Sequence, residues 1–205
     1  MEAIETQTVT GDWHRLIPSR FPPVEVYERL GPPELGALAK QIEDLTNPRL
    51  RERSWLVSKG GAAENSPQVQ NWNHAPFAYP NPEGSTWLSE AFGVLEVVDC
   101  RRGALARSVR RRENFLSRTD EPPMGVDMRM FKTPVKGEFV DLRGEPSKLP
   151  KAERWALGLK LYEQGVKGVL FSPGDHPKMR ALAVFNGGVL ERTVQAEHYR
   201  FIWDG

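Results

Sequence analysis

The densest run of chemistry-bearing residues in this 205-residue chain is basic: Arg101, Arg102, Arg107, Arg110, Arg111, Arg112 and Arg118 stand close together. On a helix, Arg107, Arg110 and Arg111 share one face at i, i+3 and i+4 spacing. Such a face could receive phosphates or an acidic partner helix, or it could simply be solvated. The aromatic residues that a single-strand nucleic-acid binder interleaves with its cations are missing from it. Arg15 and Arg20 flank a second short segment, L-I-P-S, near the start. His14, His74, His176 and His198 are widely separated and the sole Cys100 is remote from them, so no metal site has recognisable spacing. Nor is there a phosphate-binding P-loop or a G-x-G-x-x-G fingerprint.

The elements that must position these residues are short. Prolines open a helix over 32–45, where Leu35, Leu38, Ala39 and Ile42 recur at helical spacing. Residues 60–82 hold Gly60, Gly61, four prolines and several asparagines, which reads as a long loop clamped or lidded by Trp72, His74, Phe77 and Tyr79. Residues 93–98 read as a buried strand and 103–116 as a helix. Val126, Met128 and Met130 alternate with polar neighbours, and 139–143, 169–172 and 181–185 are short β-rich runs. Lys151 to Gln164 reads as a helix with Gly165 at its stop, and Tyr199, Phe201 and Trp203 alternate as a last strand. The pattern is α+β, with several short strands in the C-terminal two-thirds and no internal repeat.

Composition bounds the rest. The length suits one domain, with residues 1–12, polar and unpatterned, expected to fray as a flexible tail before a domain over 13–205. With 28 basic and 27 acidic residues the formal charge is +1, so no global field argues for nucleic acid or an anionic membrane. Cys100 cannot form an internal disulfide and reads as a small buried hydrophobe in a reducing compartment. No apolar run approaches a membrane span or a signal peptide, and a cytoplasmic location is expected.

Ordered landmarks then carry a family resemblance: W-H-R-L-I-P-S-R-F-P-P from Trp13, L-T-N-P-R-L-R from Leu45, N-P-E-G-S from Asn81, F-G-V from Phe92, R-R-E-N-F-L from Arg111, D-M-R-M from Asp127, V-D-L-R from Val140, G-V-K-G-V-L-F from Gly165, A-V-F from Ala183 and Y-R-F-I-W-D-G from Tyr199. Together they resemble the RES domain family, and most closely its NAD-consuming toxins encoded beside Xre-type antitoxins. The resemblance implies a compact α+β fold related to ADP-ribosyltransferases, with NAD in a cleft as substrate or ligand rather than a tightly bound cofactor. It also implies an Xre-like antitoxin or a related RES protein as partner, and no direct contact with nucleic acid or membrane.

The family's chemistry cleaves the nicotinamide bond through an oxocarbenium-like ribose, so it needs an anion beside the developing positive charge and cations for the pyrophosphate. At the matching positions this chain differs. Thr86 stands where the resemblance places the pyrophosphate-binding Arg, Glu96 where it places a Tyr, and Arg107 where it places the catalytic Glu. Pro173 aligns with the family's Ser, and Ser172 precedes it by one residue. Arg15 and Arg20 match the family's opening and could approach a ligand. The inverted charge at Arg107 opposes an unchanged mechanism. The resemblance therefore implies a pseudoenzyme that acts by binding a protein or nucleotide. Two alternatives stand beside it: an active NAD-consuming toxin with a rewired site built on Glu96 and Arg107, and an enzyme whose substrate is no longer NAD. A structural ion pair between Glu96 and Arg107 is the plain reading of their swapped charges.

Overall fold

Valine- and leucine-rich runs fold into the middle of a six-stranded mixed sheet, and polar alternating runs fold at its margins. The computed structural model describes residues 5–19, 47–173 and 178–205. The strands are β1 (Thr6–Pro18), β2 (Leu95–Val98), β3 (Met124–Asp141), β4 (Gly168–Phe171), β5 (Ala181–Val184) and β6 (Val194–Trp203). Their order is β1-β2-β5-β4-β3-β6, and β1 also pairs with β3. That extra pairing closes a ring of five strands, with β6 added outside on β3. The β3–β4 pair is parallel and the others are antiparallel. The helices are α1 (Pro48–Ser58), α2 (Asn71–Ala78), α3 (Arg101–Leu116), α4 (Glu145–Lys148) and α5 (Lys151–Glu163).

G-V-L-F and A-L-A-V carry no charge and are buried along their whole length, as β4 and β5, which is what a strand covered on both faces requires. Alternation then splits the core in two. One face gathers Trp13, Leu95, Val97, Phe139, Leu170, Leu182 and Val184. The other gathers Val98, Met130, Val169, Phe171, Ala181 and Ala183, and receives Ala104 and Leu105 of α3 with Leu157 and Leu161 of α5. Glu96 shares this second face with Val98, which places its carboxylate under the helices.

Three expectations are corrected. Residues 6–12 are not a frayed tail but the first half of β1, paired with β3 in unbroken register from Thr6↔Val140 to Pro18↔Met128. The strand is polar because only Val9 of its first seven residues is buried; backbone pairing holds it. The strands are not all short, since the run expected at 126–130 and the first three residues of the run expected at 139–143 belong to one 18-residue strand, β3, which ends at Asp141. Residues 60–82 are not one long loop. They hold a 3-10 turn, Pro67–Val69, and α2, with Pro76 inside the helix. Their aromatics do clamp: Trp72 packs on Phe131 with ring centroids 4.6 Å apart, and Phe77 joins the first core. The helix expected over 32–45 lies outside the described residues. Among the described residues no helix is long and apolar enough to cross a membrane.

A loop between α2 and β2 carries Thr86, and α5 fixes it. Lys151 Nζ donates to Glu83 O at 3.1 Å, Arg154 Nε to Thr86 O at 3.2 Å and Trp155 Nε1 to Ser85 O at 3.0 Å. Gly84 turns the loop at φ +72°, a conformation that favours glycine. Gly158 lets the helix seat on the loop: a Cβ there would stand 1.8 Å from Trp87 O.

Candidate functional site

Cys100 opens α3 as its N-cap, its Sγ accepting from the Gly103 N–H at 3.4 Å. It is exposed rather than a buried hydrophobe, because a cap residue sits at a helix mouth. From that start α3 lays its arginines over β2. Arg107 and Arg111, one helical turn apart, both donate to Glu96 Oε2, Arg107 at 3.0 Å. The Thr86 N–H donates to Oε1 at 2.8 Å, and the Thr86 hydroxyl bonds the same carboxylate. Glu96 is 9% exposed and Arg107 is 16% exposed. The guanidinium of Arg107 also lies over the Phe171 ring, 5.8 Å from its centroid.

Burial alone would raise the Glu96 pKa, but the charges of Arg111 and Arg107 and the two Thr86 hydrogen bonds outweigh it and hold the carboxyl at about 2. Glu96 is therefore ionised at any physiological pH. One carboxylate facing two guanidiniums leaves this trio with a net charge of +1.

Two cavities flank the trio. The first, of about 230 Å³, is lined among others by His14, Asn81, Ser85, Glu96, Arg107, Ser108, Arg111 and Arg112. The second, of about 320 Å³, is lined by Thr86, Arg107, Arg110, Arg111, Asn114, Ser147, Arg154, Phe171, Ser172 and Pro173. Four arginines from two helices thus converge on the second cavity, and no acidic residue stands among its described lining residues. Ser172 donates its N–H to Ser147 Oγ at 3.3 Å, and Ser147 Oγ donates to Leu142 O at 2.6 Å. Ser172 and Pro173 border the same space.

The fold therefore brings Thr86, Glu96, Arg107 and Ser172 together although they span 87 positions of sequence. Arg15 borders the first cavity, but its guanidinium leaves by the other face of β1, where Nη2 donates to the Trp72 carbonyl and Cζ lies 5.9 Å from the Phe131 centroid. Burial lowers its pKa to about 10. Arg20 lies outside the described residues. Sequence reasoning missed Arg154, Ser147 and His14. The helical face of Arg107, Arg110 and Arg111 expected from their spacing does line the second cavity; Arg154 and Ser147 come from a distant helix and turn with no local signal. Among the described residues no cluster of His, Cys, Asp and Glu could hold a metal ion.

This chain is 47% identical over 197 residues, 96% of its length and 85% of the relative's, to the uncharacterized protein y4oC of Sinorhizobium fredii strain NBRC 101917 / NGR234. Among solved structures it resembles the M. tuberculosis MbcT–MbcA toxin–antitoxin complex, with a TM-score of 0.42 and 14% identity, over 58% of this chain and 73% of that one. A profile described as the RES domain matches residues 64–204, a span that contains Thr86, Glu96, Arg107, Ser172 and the whole lining of the second cavity, and this places the chain in the RES domain family.

Proposed function

We propose that this RES-domain protein does not cleave NAD and acts by binding, with a phosphate-bearing nucleotide in the arginine-lined cleft. The observation that carries this reading is the neutralised Glu96. Three residues, Thr86, Arg107 and Arg111, occupy both of its carboxylate oxygens, and the trio remains cationic. A unit positive charge developing about 5 Å from a net positive unit costs on the order of 3 kcal/mol at an effective dielectric of about 20, a rate loss of about two decades. The same field favours phosphates, and Arg110 and Arg154 extend it into the second cavity. As for toxins of its family, an Xre-type antitoxin or a second RES protein is the companion we assign to it.

The alternative is a rewired NAD-consuming site. Its support is that Glu96 stays ionised and borders the first cavity, so an anion is present near a bound sugar. One experiment separates the readings. NAD turnover by the purified, partner-free protein, with and without phosphate, is measured beside a variant carrying Thr86→Arg, Glu96→Tyr and Arg107→Glu. The expected result is no turnover by the native chain, no growth arrest on its expression, binding of AMP and inorganic phosphate, and recovered turnover in the triple variant. Native turnover that Glu96→Ala abolishes would establish the rewired site instead.

A further inference from the structure

β6 ends one margin of the sheet, and among the described residues β3 is its only neighbouring strand. The outer edge of such a strand presents unpaired N–H and C=O groups on which another strand can pair, and folds commonly blunt it with proline, lysine or a bulge. From His198 to Trp203 the sequence H-Y-R-F-I-W holds neither proline nor lysine, and the register shift against β3 lies before it, between the Arg129 and Phe131 positions. Side chains alternate along this stretch. Tyr199, Phe201 and Trp203 are half-buried opposite Met128, Val126 and Met124, whereas His198, Arg200 and Ile202 are exposed. Ile202 is 73% exposed, more than any other large hydrophobic side chain among the described residues. We propose that this edge is an interface with a second copy of the chain, the two β6 strands pairing antiparallel about a two-fold axis at Ile202. The proposal does not depend on what occupies the cleft.

The charges of the strand select that register. A two-fold axis perpendicular to a continuous sheet keeps facing residues on one face, so the axis must pass through a residue rather than between two. With the axis at Arg200, the guanidinium meets its own copy. At Tyr199 it meets His198, and at Phe201 it meets Ile202. At Ile202, Arg200 of one protomer faces Asp204 of its partner, and symmetry makes the same contact again on the other side of the axis. That register also sets Ile202 against Ile202 on the exposed face and Phe201 against Trp203 on the α3 face, which are favourable cross-strand pairs. Within its own chain Arg200 Nη1 donates to Asp127 Oδ1 at 3.3 Å, with both side chains largely exposed, so the guanidinium keeps donors for a second carboxylate. Trp203 is held in place by its Nε1, which donates to Glu121 O at 3.2 Å.

Sedimentation equilibrium of the purified full chain over the micromolar range tests this interface. The native protein is expected to sediment as a dimer, at twice the 23.2 kDa of one chain. Ile202→Lys, at an exposed position that spares the fold, sets two ammonium groups together at the axis and should leave a monomer. Arg200→Asp and Asp204→Arg each place like charges opposite one another at both ends of the register, and each should raise the dissociation constant at least about tenfold. Mixed together, these two variants meet with opposite charges at both contacts, so they should form a heterodimer although each pairs poorly with itself. Misfolding could not produce that recovery. A native dimer that Ile202→Lys leaves intact, or a mixture of the two charge variants that stays monomeric, overturns the pairing. A monomeric native chain overturns it too and leaves the edge to a strand of another protein. Phosphate affinity of the Ile202→Lys monomer is expected to equal that of the native chain, so failure of this interface and failure of the nucleotide reading are distinguished.

Discussion

Replacing Glu96 by Gln tests whether the trio is held together by charge. The substitution keeps the shape and one carbonyl acceptor for the Thr86 N–H, but it leaves Arg107 and Arg111 converging without an anion. A buried carboxyl lowered from 4.5 to about 2 contributes on the order of 3 kcal/mol at neutral pH, since a tenfold change in proton affinity is about 1.4 kcal/mol. Breaking a buried pair by removing one partner costs about 3–5 kcal/mol, so two independent routes agree. For a domain of this size each kcal/mol moves the melting temperature by about 2–4 °C, and the variant should melt about 6–12 °C lower at pH 7. The sign fixes the pH window. The folded pKa is depressed, so the contribution is fully present above 4.5 and is lost as pH falls toward 2. The melting gap between the native protein and Glu96→Gln should therefore shrink by roughly half or more from neutral pH to pH 3, and close only as pH approaches about 2. A variant that melts within about 2 °C of the native protein at pH 7, with the same acid dependence, would refute the assignment of the trio as an ion-paired unit.

Two further outcomes follow from the packing around the site. Gly158→Ala drives a Cβ to within 1.8 Å of the Trp87 carbonyl, so α5 must back away; urea denaturation should show a loss of about 1–3 kcal/mol, and phosphate affinity should fall because α5 positions Thr86 and Arg154. His14 is held neutral by burial, with a folded pKa below 6.5. The fold therefore loses stability as pH drops below 6.5, until the folded pKa is passed, and His14→Asn should flatten that part of the stability profile.

Legibility in the sequence followed burial. β4, β5 and α5 were readable because both faces of the strands, or one face of the helix, are apolar, and because Gly165, at φ +75°, ends the helix as a glycine can. β1 was not, since its first half buries only Val9 and its pairing with β3 is made by backbone groups that any sequence possesses. β3 read as two strands because Pro134 and Gly137 interrupt its middle. The strand runs through them all the same: Pro134 stands opposite Asp12 in the β1 register, and its carbonyl accepts from the Glu191 N–H at 2.9 Å. In the site, the pairing of Glu96 with Arg107 was foreshadowed by their swapped charges, whereas the fourth arginine comes from α5, 47 positions beyond Arg107, where no spacing rule reaches.

For the binding reading proposed above, these four arginines matter more than the glutamate that the family resemblance expects at Arg107. Arg107 alone would already pair Glu96 through Oε2, with Thr86 on Oε1. Arg111 donates to the same Oε2 as Arg107, so the carboxylate is saturated and the local charge changes sign. A cleft with that sign stabilises an anion that is already present and opposes a cation that must form. The same arrangement that keeps Glu96 ionised also anchors the two arginines over β2. That local charge is the ground of the binding reading proposed above.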